Sequence, residues 1–415
     1  MNAQPSETDI RAEPENSNLR RQWWESMQPW FAERGYILNK TTQEEEDAQM
    51  NEEPMYTFSG EVRYPYSYTG GCKVCEIGCA LSHPPHPRVA LAQDSESRHV
   101  VIKVLLSDSE EFKVLNFLRQ EKILLDRFCG VIPVLDMLSF GAFQFAVLPR
   151  WGGRAIFSWF GTSKDVLHYV RCLLQGLVFL HERRIFHRDI SEGNILANHF
   201  SCSNDCCSFT RTDMRSDLRR ADRLDYALND FDWSLLLPAE ASLKDFRIPI
   251  SGTYPGVYEK PNEALRGEVD FNPFAYDVGC LGIQFAYTLQ HLCPSIPLLA
   301  PLIDGMVTHH VPDRFTAQEA LSFLDEAQLE MTPGQLEERP NLRESITVYD
   351  KFDRWSNVPP ALVEKWGRYR ERSPSYFAIH VIYPLCMRPW GVSLVYRTRT
   401  IFRYALFAAK YLFTL

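Results

Sequence analysis

The chain has 415 residues, a formal net charge of −9, and a composition that is 45% hydrophobic and 13% aromatic. This apolar content excludes a globally disordered chain, and the acidic balance excludes a general nucleic-acid binder, because neutralising phosphates requires a basic surface. The length exceeds that of one small domain, so we expect one large body with extensions at its ends.

The sequence lacks the apolar segments that direct a chain into or across a membrane. No stretch of signal-peptide length occurs near the N-terminus, and no apolar run is long enough to span a bilayer without a charge. We therefore expect an intracellular, cytoplasmic protein without a membrane-spanning helix. The cysteine count of 11 is odd, which favours free thiols in a reducing compartment.

The N-terminal segment, residues 1–55, is predicted to be a polar extension with one aromatic element. Aromatic residues recur from Trp23 to Tyr36 and indicate a short amphipathic stretch. We expect this stretch to dock on the protein body, which is favoured over binding to a partner. The acidic run within 41–53 predicts a solvated linker.

Strand-like patterns follow from residue 56 to residue 106. The segments 89–92 and 99–105 are apolar and flank a short, turn-rich stretch. This arrangement predicts a β-hairpin whose second strand carries Lys103.

The pattern then changes along the chain from strands to helices. A helix is predicted over 110–128, and two further strands are predicted at 131–134 and 143–148. A strongly periodic apolar pattern over 165–181 predicts a long helix. A strand-rich part followed by a helix-rich part indicates an α+β fold.

One short segment, residues 187–196, carries a recognisable chemical pattern. It reads His-Arg-Asp-Ile-Ser-Glu-Gly-Asn-Ile-Leu, which is the spacing of a kinase catalytic loop. Phosphoryl transfer needs a carboxylate that faces the substrate hydroxyl and a ligand that holds magnesium. We therefore interpret Asp189 as the catalytic base and Asn194 as a magnesium ligand.

With these motifs the chain resembles the eukaryotic protein kinase superfamily over residues 56–328. As a whole it also resembles the kinase-like proteins common in basidiomycete fungi. The resemblance implies a two-lobed α+β fold, with a small antiparallel sheet and one helix in an N-lobe, 56–150, and a larger helical C-lobe, 151–328. Residues 329–415 would form a basic and aromatic C-terminal extension. The implied cofactors are ATP and Mg²⁺, and the implied substrate is a protein.

The resemblance also assigns an ion pair that organises the nucleotide site. Lys103 matches the strand lysine that grips the ATP phosphates, and Glu121 is favoured as its helix partner. Glu110 and Glu111 are the alternatives, although they lie at the start of the predicted helix and would more naturally cap its positive end.

A second carboxylate follows in the segment Asn-Asp-Phe-Asp-Trp. Asp230 resembles the family's second magnesium ligand, and Phe231 would pack inside the protein. Asp232 stands where the family has glycine, so the segment is either locked in one backbone state or Asp232 approaches the metal. The candidate nucleotide-binding residues are Lys103, Leu148, Asn194 and Asp230.

Three features of the helical part also match the family. Ser251-Gly252-Thr253 resembles the substrate-binding loop, and Asp277 would brace the backbone of the catalytic loop. Arg314 would pair with a glutamate that ends the activation segment, for which Glu259 is the candidate. The alternative for Arg314 is an exposed ion pair of little energetic value.

The sequence departs from the kinase pattern in three places. No Gly-x-Gly-x-x-Gly precedes Val89, and a proline-rich segment, 83–87, occupies its place. Ser191 replaces the lysine with which serine/threonine kinases stabilise the transferring phosphate. A long insertion within 197–225, with three cysteines and a basic run, is predicted to be a partner-binding feature or disordered.

Two further features leave alternatives open. Cys72, Cys75 and Cys79 precede two histidines, which permits a tetrahedral zinc site, although ordinary core cysteines are favoured because the ligand spacing is irregular. The aromatic and apolar segment 400–415 contains Arg403 and Lys410. It is predicted to be either an interfacial helix on anionic lipid, as a peripheral membrane contact, or a helix folded back on the body.

The leading hypothesis is an ATP-dependent kinase of serine and threonine in proteins. The first alternative is a pseudokinase scaffold that binds nucleotide or partners without turnover, and the second is a small-molecule phosphotransferase. The working set of the leading hypothesis is Lys103, Glu121, Asp189, Asn194 and Asp230.

Overall fold

The computed structural model describes residues 17–43, 50–53, 55–56, 58, 60–69, 81–82, 88–153, 155–156, 160–200, 213–254, 256, 260–340 and 353–413. The fold is α+β, with an antiparallel five-stranded sheet and many helices. The chain divides into two compact units. The first unit comprises residues 1–160 and 193–232, and the second comprises 161–192 and 233–415.

The structure defines the following elements in chain order. The strands are β1 (Ile37–Leu38), β2 (Lys40–Gln43), β3 (Met50–Glu53), β4 (Tyr68–Thr69), β5 (Leu81–Ser82), β6 (Val89–Gln93), β7 (His99–Leu106), β8 (Asp136–Phe140), β9 (Phe143–Pro149), β10 (Ile185–Phe186), β11 (Ile195–Ala197), β12 (His199–Phe200), β13 (Tyr226–Leu228), β14 (Leu235–Leu236), β15 (Ile248–Pro249) and β16 (Asp270–Phe271). The helices are α1 (Ser17–Ala32), α2 (Glu110–Gln120), α3 (Ile123–Asp126), α4 (Ser163–Glu182), α5 (Asp213–Arg220), α6 (Asn262–Leu265), α7 (Pro273–Leu289), α8 (Leu299–Val307), α9 (Ala317–Gln328), α10 (Pro333–Glu337), α11 (Pro360–Trp366), α12 (Tyr383–Cys386) and α13 (Pro389–Phe413).

The first unit is built on the five-stranded sheet, whose strand order is β1-β6-β7-β9-β8 with every neighbouring pair antiparallel. The predicted hairpin is confirmed as β6 and β7, and Lys103 lies opposite Val89 in its register. Val100, Ile102 and Val104 of β7 enter the hydrophobic cluster, and Lys103 points to the other face of the sheet, because successive side chains of a strand point to opposite faces. Lys103 therefore has a fixed position in the centre of the sheet.

The aromatic N-terminal element is helix α1, and it packs on the first unit. Trp24, Met27 and Phe31 recur at helical spacing and are buried in one cluster with residues of β6, β7 and β9. The ring centroids of Phe31 and Phe145 lie 5.0 Å apart in an edge-to-face arrangement. The expectation that this element docks on the protein body is confirmed.

Two predicted elements of the first unit were wrong in extent. The helix predicted over 110–128 ends at Gln120, and a separate short turn, α3, follows. The segment predicted as a strand over 131–134 forms only an isolated bridge from Val131 to Leu228. Pro133 explains this difference, because proline has no backbone N–H to donate to a strand ladder.

The basic run in the long insertion includes helix α5 and is structural. Arg215 is buried and donates to the ring of His199 and to the carbonyl oxygens of His199 and Gly153. Arg219 is also buried and donates to the hydroxyl of Tyr226. These contacts give the run a packing role. The cysteines of the insertion lie outside the described residues.

The second unit is mainly helical. Helix α4 starts at a capping box in which Thr162 and Asp165 exchange hydrogen bonds with each other's backbone. The long helix predicted over 165–181 is therefore confirmed as α4. Helix α7 is apolar and buried on almost every side, so it forms the centre of this unit.

Part of the C-terminal extension is joined to the second unit through Asp304 of α8. This carboxylate accepts hydrogen bonds from Nε of Arg354 at 2.6 Å and from Nε1 of Trp355 at 2.7 Å. It also accepts from the backbone N–H of Glu371 at 2.9 Å. All three donors follow the predicted end of the kinase-like region, so the second unit continues beyond residue 328. Among the described helices, none is long and apolar enough to cross a membrane.

Phe31→Ala is expected to lower the free energy of unfolding of the first unit by about 3–5 kcal/mol, because it leaves a cavity among buried aromatic rings. Urea unfolding followed by tryptophan fluorescence measures the change, since Trp24 and Trp30 lie beside the cavity. Leu125→Ala, at an exposed position of the same unit, is the control and should change stability by about 0.5 kcal/mol or less. Equal effects of the two variants would contradict the packing role of α1.

Candidate functional site

A group of charged side chains surrounds Lys103 inside the first unit. Its Nζ lies 2.5 Å from a carboxylate oxygen of Glu111, 2.7 Å from Asp230 and 2.6 Å from Asp232. Arg88 pairs with Glu111 at 3.2 Å and also contacts Asp232. We call these five residues the Lys103 cluster. It combines three carboxyl groups with two cations.

Three local features bring the cluster together. Lys103 projects from the central hairpin, and Glu111 lies in the first turn of α2, which begins at the N-cap Ser109. Ser109 accepts a hydrogen bond from the backbone N–H of Phe112 and so fixes the start of that helix. Asp230 and Asp232 follow the end of β13.

The glutamate that pairs with Lys103 is Glu111, and the assignment of Glu121 was wrong. Helix α2 ends at Gln120, and Glu121 is its C-cap residue. Because a helix rises 1.5 Å per residue, Glu121 lies roughly 15 Å farther along the chain's path than Glu111. The first turn of α2 faces the strand lysine, which is the reverse of the orientation that the sequence assignment required.

Arg88 was not identified from the sequence. It directly precedes β6, and its backbone carbonyl accepts a hydrogen bond from Val104, the neighbour of Lys103. This pairing places the guanidinium beside the lysine. The only available signal was its position opposite the predicted lysine strand in the hairpin register.

The electrostatics of the cluster follow from burial and pairing. Burial raises the pKa of Glu111 to about 8, against the opposing effect of Lys103, and a hydrogen bond to Asp232 adds to the rise. Burial acts in the same direction on Asp232, but Lys103 and Arg88 hold its pKa well below the usual range. Burial alone would lower the pKa of Lys103, and the three carboxyl groups raise it above its usual value. A proton on Glu111 therefore leaves two negative charges facing two positive charges.

Asn194 and Asp230 are brought close by the pairing of β11 with β13. Ile195 lies opposite Leu228, and the backbone N–H of Asn229 donates to the carbonyl oxygen of Asn194 at 2.9 Å. The two predicted magnesium ligands thus flank the same end of a two-stranded ladder in the first unit.

The backbone at Asp230 is held in an uncommon conformation. Its φ is +65°, in the left-handed region that non-glycine residues seldom occupy. Phe231 is buried directly after it and anchors the segment. Strained residues of this kind persist where the surroundings determine them, and they concentrate at functional sites.

Glu111, Asp230 and Asp232 offer carboxylate oxygens that all lie within 4.8 Å of one another. Hard divalent cations such as magnesium prefer oxygen ligands of this type. Asp230 and Asp232 therefore supply carboxylate oxygens of the type that a magnesium ion binds.

Asp189 belongs to the second unit, where Asp277 holds its loop. The carboxylate of Asp277 is fully buried and accepts hydrogen bonds from the backbone N–H of His187 at 2.8 Å and of Arg188 at 2.9 Å. His181 lies 3.1 Å from the same carboxylate. The expectation that Asp277 braces this backbone is confirmed. Asp189 itself is half-buried.

Arg314 has a completely buried side chain and pairs with Glu263. Its two terminal nitrogens donate to the two carboxylate oxygens of Glu263 at 2.5 and 3.0 Å, and it also donates to the carbonyl oxygen of Thr308. The expected exposed alternative is excluded by this burial. Glu259 lies outside the described residues.

Other predicted site residues have simpler surroundings. Leu148 is buried in β9 opposite Val101. The proline-rich segment 83–87 and the possible zinc ligands Cys72, Cys75 and Cys79 lie outside the described residues.

The second unit also contains a cavity of about 350 Å³, lined in part by Phe274 and Phe315. Its lysine and arginine lining residues are paired, Lys244 with Glu319, Arg247 with Asp270 and Arg314 with Glu263. This pairing leaves no excess positive charge there for a phosphate.

Comparison with known proteins assigns no family to the chain. No model of a known protein family matches the sequence, and no curated protein matches it.

The raised pKa of Glu111 predicts a stability that depends on pH. The unfolded chain releases this proton near pH 4.5, whereas the folded chain holds it until about pH 8. The free energy of unfolding therefore falls as the pH rises through this window, by up to about 1.4 kcal/mol per pH unit. Urea unfolding between pH 5 and pH 8 measures the slope.

Glu111→Gln should remove this part of the slope, and Glu110→Gln should retain it. The two glutamates are adjacent, but Glu110 is exposed and pairs with Lys113 at the surface. A slope that is the same in wild type and in both variants would contradict the protonation of Glu111.

Glu263→Ala is expected to lower the free energy of unfolding of the second unit by about 3–5 kcal/mol, because it leaves the buried guanidinium of Arg314 without its carboxylate. Asp325→Ala breaks the more exposed pair with Arg171 and should cost about 1 kcal/mol or less. Urea unfolding compares the two variants. A cost for Glu263→Ala as small as that of the control would show that the buried pair has no structural role.

Proposed function

We propose that the chain is a magnesium- and ATP-dependent protein kinase that transfers the γ-phosphate of ATP to serine and threonine hydroxyls of proteins. In this proposal the first unit corresponds to the N-lobe with part of the catalytic loop, and the second unit corresponds to the C-lobe. The observation that carries the proposal is the contact of Lys103 with Asp230, two residues selected independently by their kinase motifs.

Each residue of the set has one task in this chemistry. Lys103 would bind the α and β phosphates through its ammonium group, and Glu111 would orient that group. Asn194 and Asp230 are the residues that would hold magnesium, which neutralises charge on the phosphates when bound. Leu148 would contact the nucleotide base.

Asp189 would act on the acceptor. Its carboxylate would orient the substrate hydroxyl and accept its proton as the hydroxyl oxygen bonds to the γ-phosphorus. The bond between that phosphorus and the oxygen bridging it to the β-phosphate breaks, and ADP leaves. Asp277 supports this step because it fixes the backbone next to Asp189.

A second candidate, a pseudokinase scaffold, is favoured by one observation. The ammonium group of Lys103 donates hydrogen bonds to Asp230 and Asp232 and lies 2.5 Å from a carboxylate oxygen of Glu111. A phosphate oxygen must therefore compete with three carboxyl groups for Lys103. Ser191, at the position of the usual lysine, removes another contact to the transferring phosphate.

Nucleotide binding tests both candidates. Magnesium-ATP should raise the melting temperature of the wild type, because a ligand bound to the native state adds about 2.7 kcal/mol of stability at 100 times its Kd. Lys103→Met and Asp230→Asn should lose the rise, and Lys113→Ala, at an exposed position of α2, should keep it. Circular dichroism checks that each variant is folded.

Phosphate transfer to a mixture of serine- and threonine-containing peptides then separates catalysis from binding. Asp189→Asn should keep the thermal shift and lose transfer by about 100-fold or more. A wild-type shift without any transfer would support the scaffold. The absence of a shift at millimolar nucleotide would exclude the kinase.

A further inference from the structure

The C-terminal helix α13 and the segment before it form an unusual surface. Among exposed large hydrophobic side chains in the described part of the chain, twelve of nineteen lie between Tyr376 and Leu406. Soluble surfaces rarely gather so many apolar groups, and contiguous patches of this kind mark interaction sites.

The charge of this segment opposes that of the rest of the chain. Residues 372–415 contain six lysines or arginines and no acid, whereas the whole chain has a formal net charge of −9. Arg372, Arg388 and Arg397 are exposed among the apolar groups. The partner that complements this surface is therefore apolar and anionic together.

Helix α13 turns its arginine side, Arg399 and Arg403, toward the rest of the second unit. Arg399 pairs with Glu268 and Arg403 pairs with Asp270, one helical turn apart, so that this face is fixed to the second unit. Val395 is buried on the same face. The outward side carries Trp390, Leu394 and other apolar groups instead of the polar residues of an ordinary surface helix.

The exposure of residues 401–406 favours a lipid surface over a second copy of the chain as the partner of this helix. Phe402 is 66% exposed and Tyr404 is 72% exposed, although two residues apart on a helix point to nearly opposite sides. Ile401 and Leu406 are exposed as well. A second helix covers a single stripe, as in a coiled coil. A lipid interface can take up apolar groups over the whole broad surface that the helix leaves exposed.

We propose that residues 376–406 are a peripheral membrane-binding element that inserts its apolar side chains into an anionic lipid surface. The arginines lie at the level of the lipid phosphates, and the aromatic and aliphatic groups enter the interface below them. This inference does not depend on kinase activity, because none of its residues belongs to the Lys103 cluster or to the loop of Asp189.

Co-sedimentation of the full chain with vesicles tests the proposal. Binding is expected to vesicles of phosphatidylcholine mixed with phosphatidylserine, and much weaker binding is expected to phosphatidylcholine alone. The double substitution Phe402→Ser with Tyr404→Ser should weaken binding by roughly tenfold or more, because it removes two inserted rings without changing charge.

Arg397→Glu should weaken binding to the anionic vesicles by roughly 25-fold, since each charge near the lipid surface contributes about fivefold. Two matched controls lie in the same unit outside the element. Leu329→Ser removes a side chain that is 87% exposed, and Arg339→Glu reverses an exposed charge. Both controls should bind like the wild type.

Three outcomes would overturn the proposal. One is the absence of binding to any vesicle by folded wild-type protein, and another is unchanged binding of the Phe402 and Tyr404 variant. The third is a concentration-dependent dimer that forms without lipid and is lost in the same variant, which would assign the surface to a second copy of the chain. Analytical ultracentrifugation detects that dimer, and circular dichroism shows that the variants are folded.

Discussion

The burial of the Lys103 ammonium group is the constraint on which the organisation of the first unit depends. Removing a charge from water costs several kcal/mol, so the fold must supply opposite charges with good geometry. Glu111 comes from the first turn of α2, and Asp230 and Asp232 come from the segment after β13. The carboxyl groups that surround this one ammonium group therefore connect β7 with α2 and with the segment after β13.

The same compensation limits what the cluster can bind. Asp232 adds a carboxylate where the kinase pattern has glycine, and Arg88 supplies a second cation that pairs with it. A proton on Glu111 completes the balance of charge. An anionic ligand that approached Lys103 would have to compete with these carboxyl groups.

Sequence patterns predicted the elements whose formation is decided locally. The apolar runs of β6 and β7 and the periodicity of α4 are properties of contiguous residues, and these three elements were found as expected. The motif spacing likewise led to the contacts of Asp277 with the backbone of His187 and Arg188. These features needed no knowledge of how distant segments pack.

Sequence patterns were less successful in predicting ion pairs whose partners are selected by tertiary packing. Glu111 and Glu121 lie at opposite ends of one helix, and only the direction of approach of α2 to the sheet selects the first. Arg314 pairs with Glu263 of α6, a glutamate that the motif pattern did not select. Arg88 belongs to no motif, so its role became visible only through the hairpin register. Local propensity contains no information about any of these three pairings.

Exposure distinguishes the ion pair of Arg314 with Glu263 from the ion pair of Lys103 with Asp230. The side chains of Arg314 and Glu263 are 0% and 8% exposed, so their pair is closed to a ligand. Lys103 is also largely buried, but the Asp230 side chain that contacts it is 36% exposed. A ligand can therefore reach Asp230 from solvent and compete for Lys103 without opening the core. This difference in access, more than the strength of either ion pair, favours a binding role for Lys103 and a structural role for Arg314.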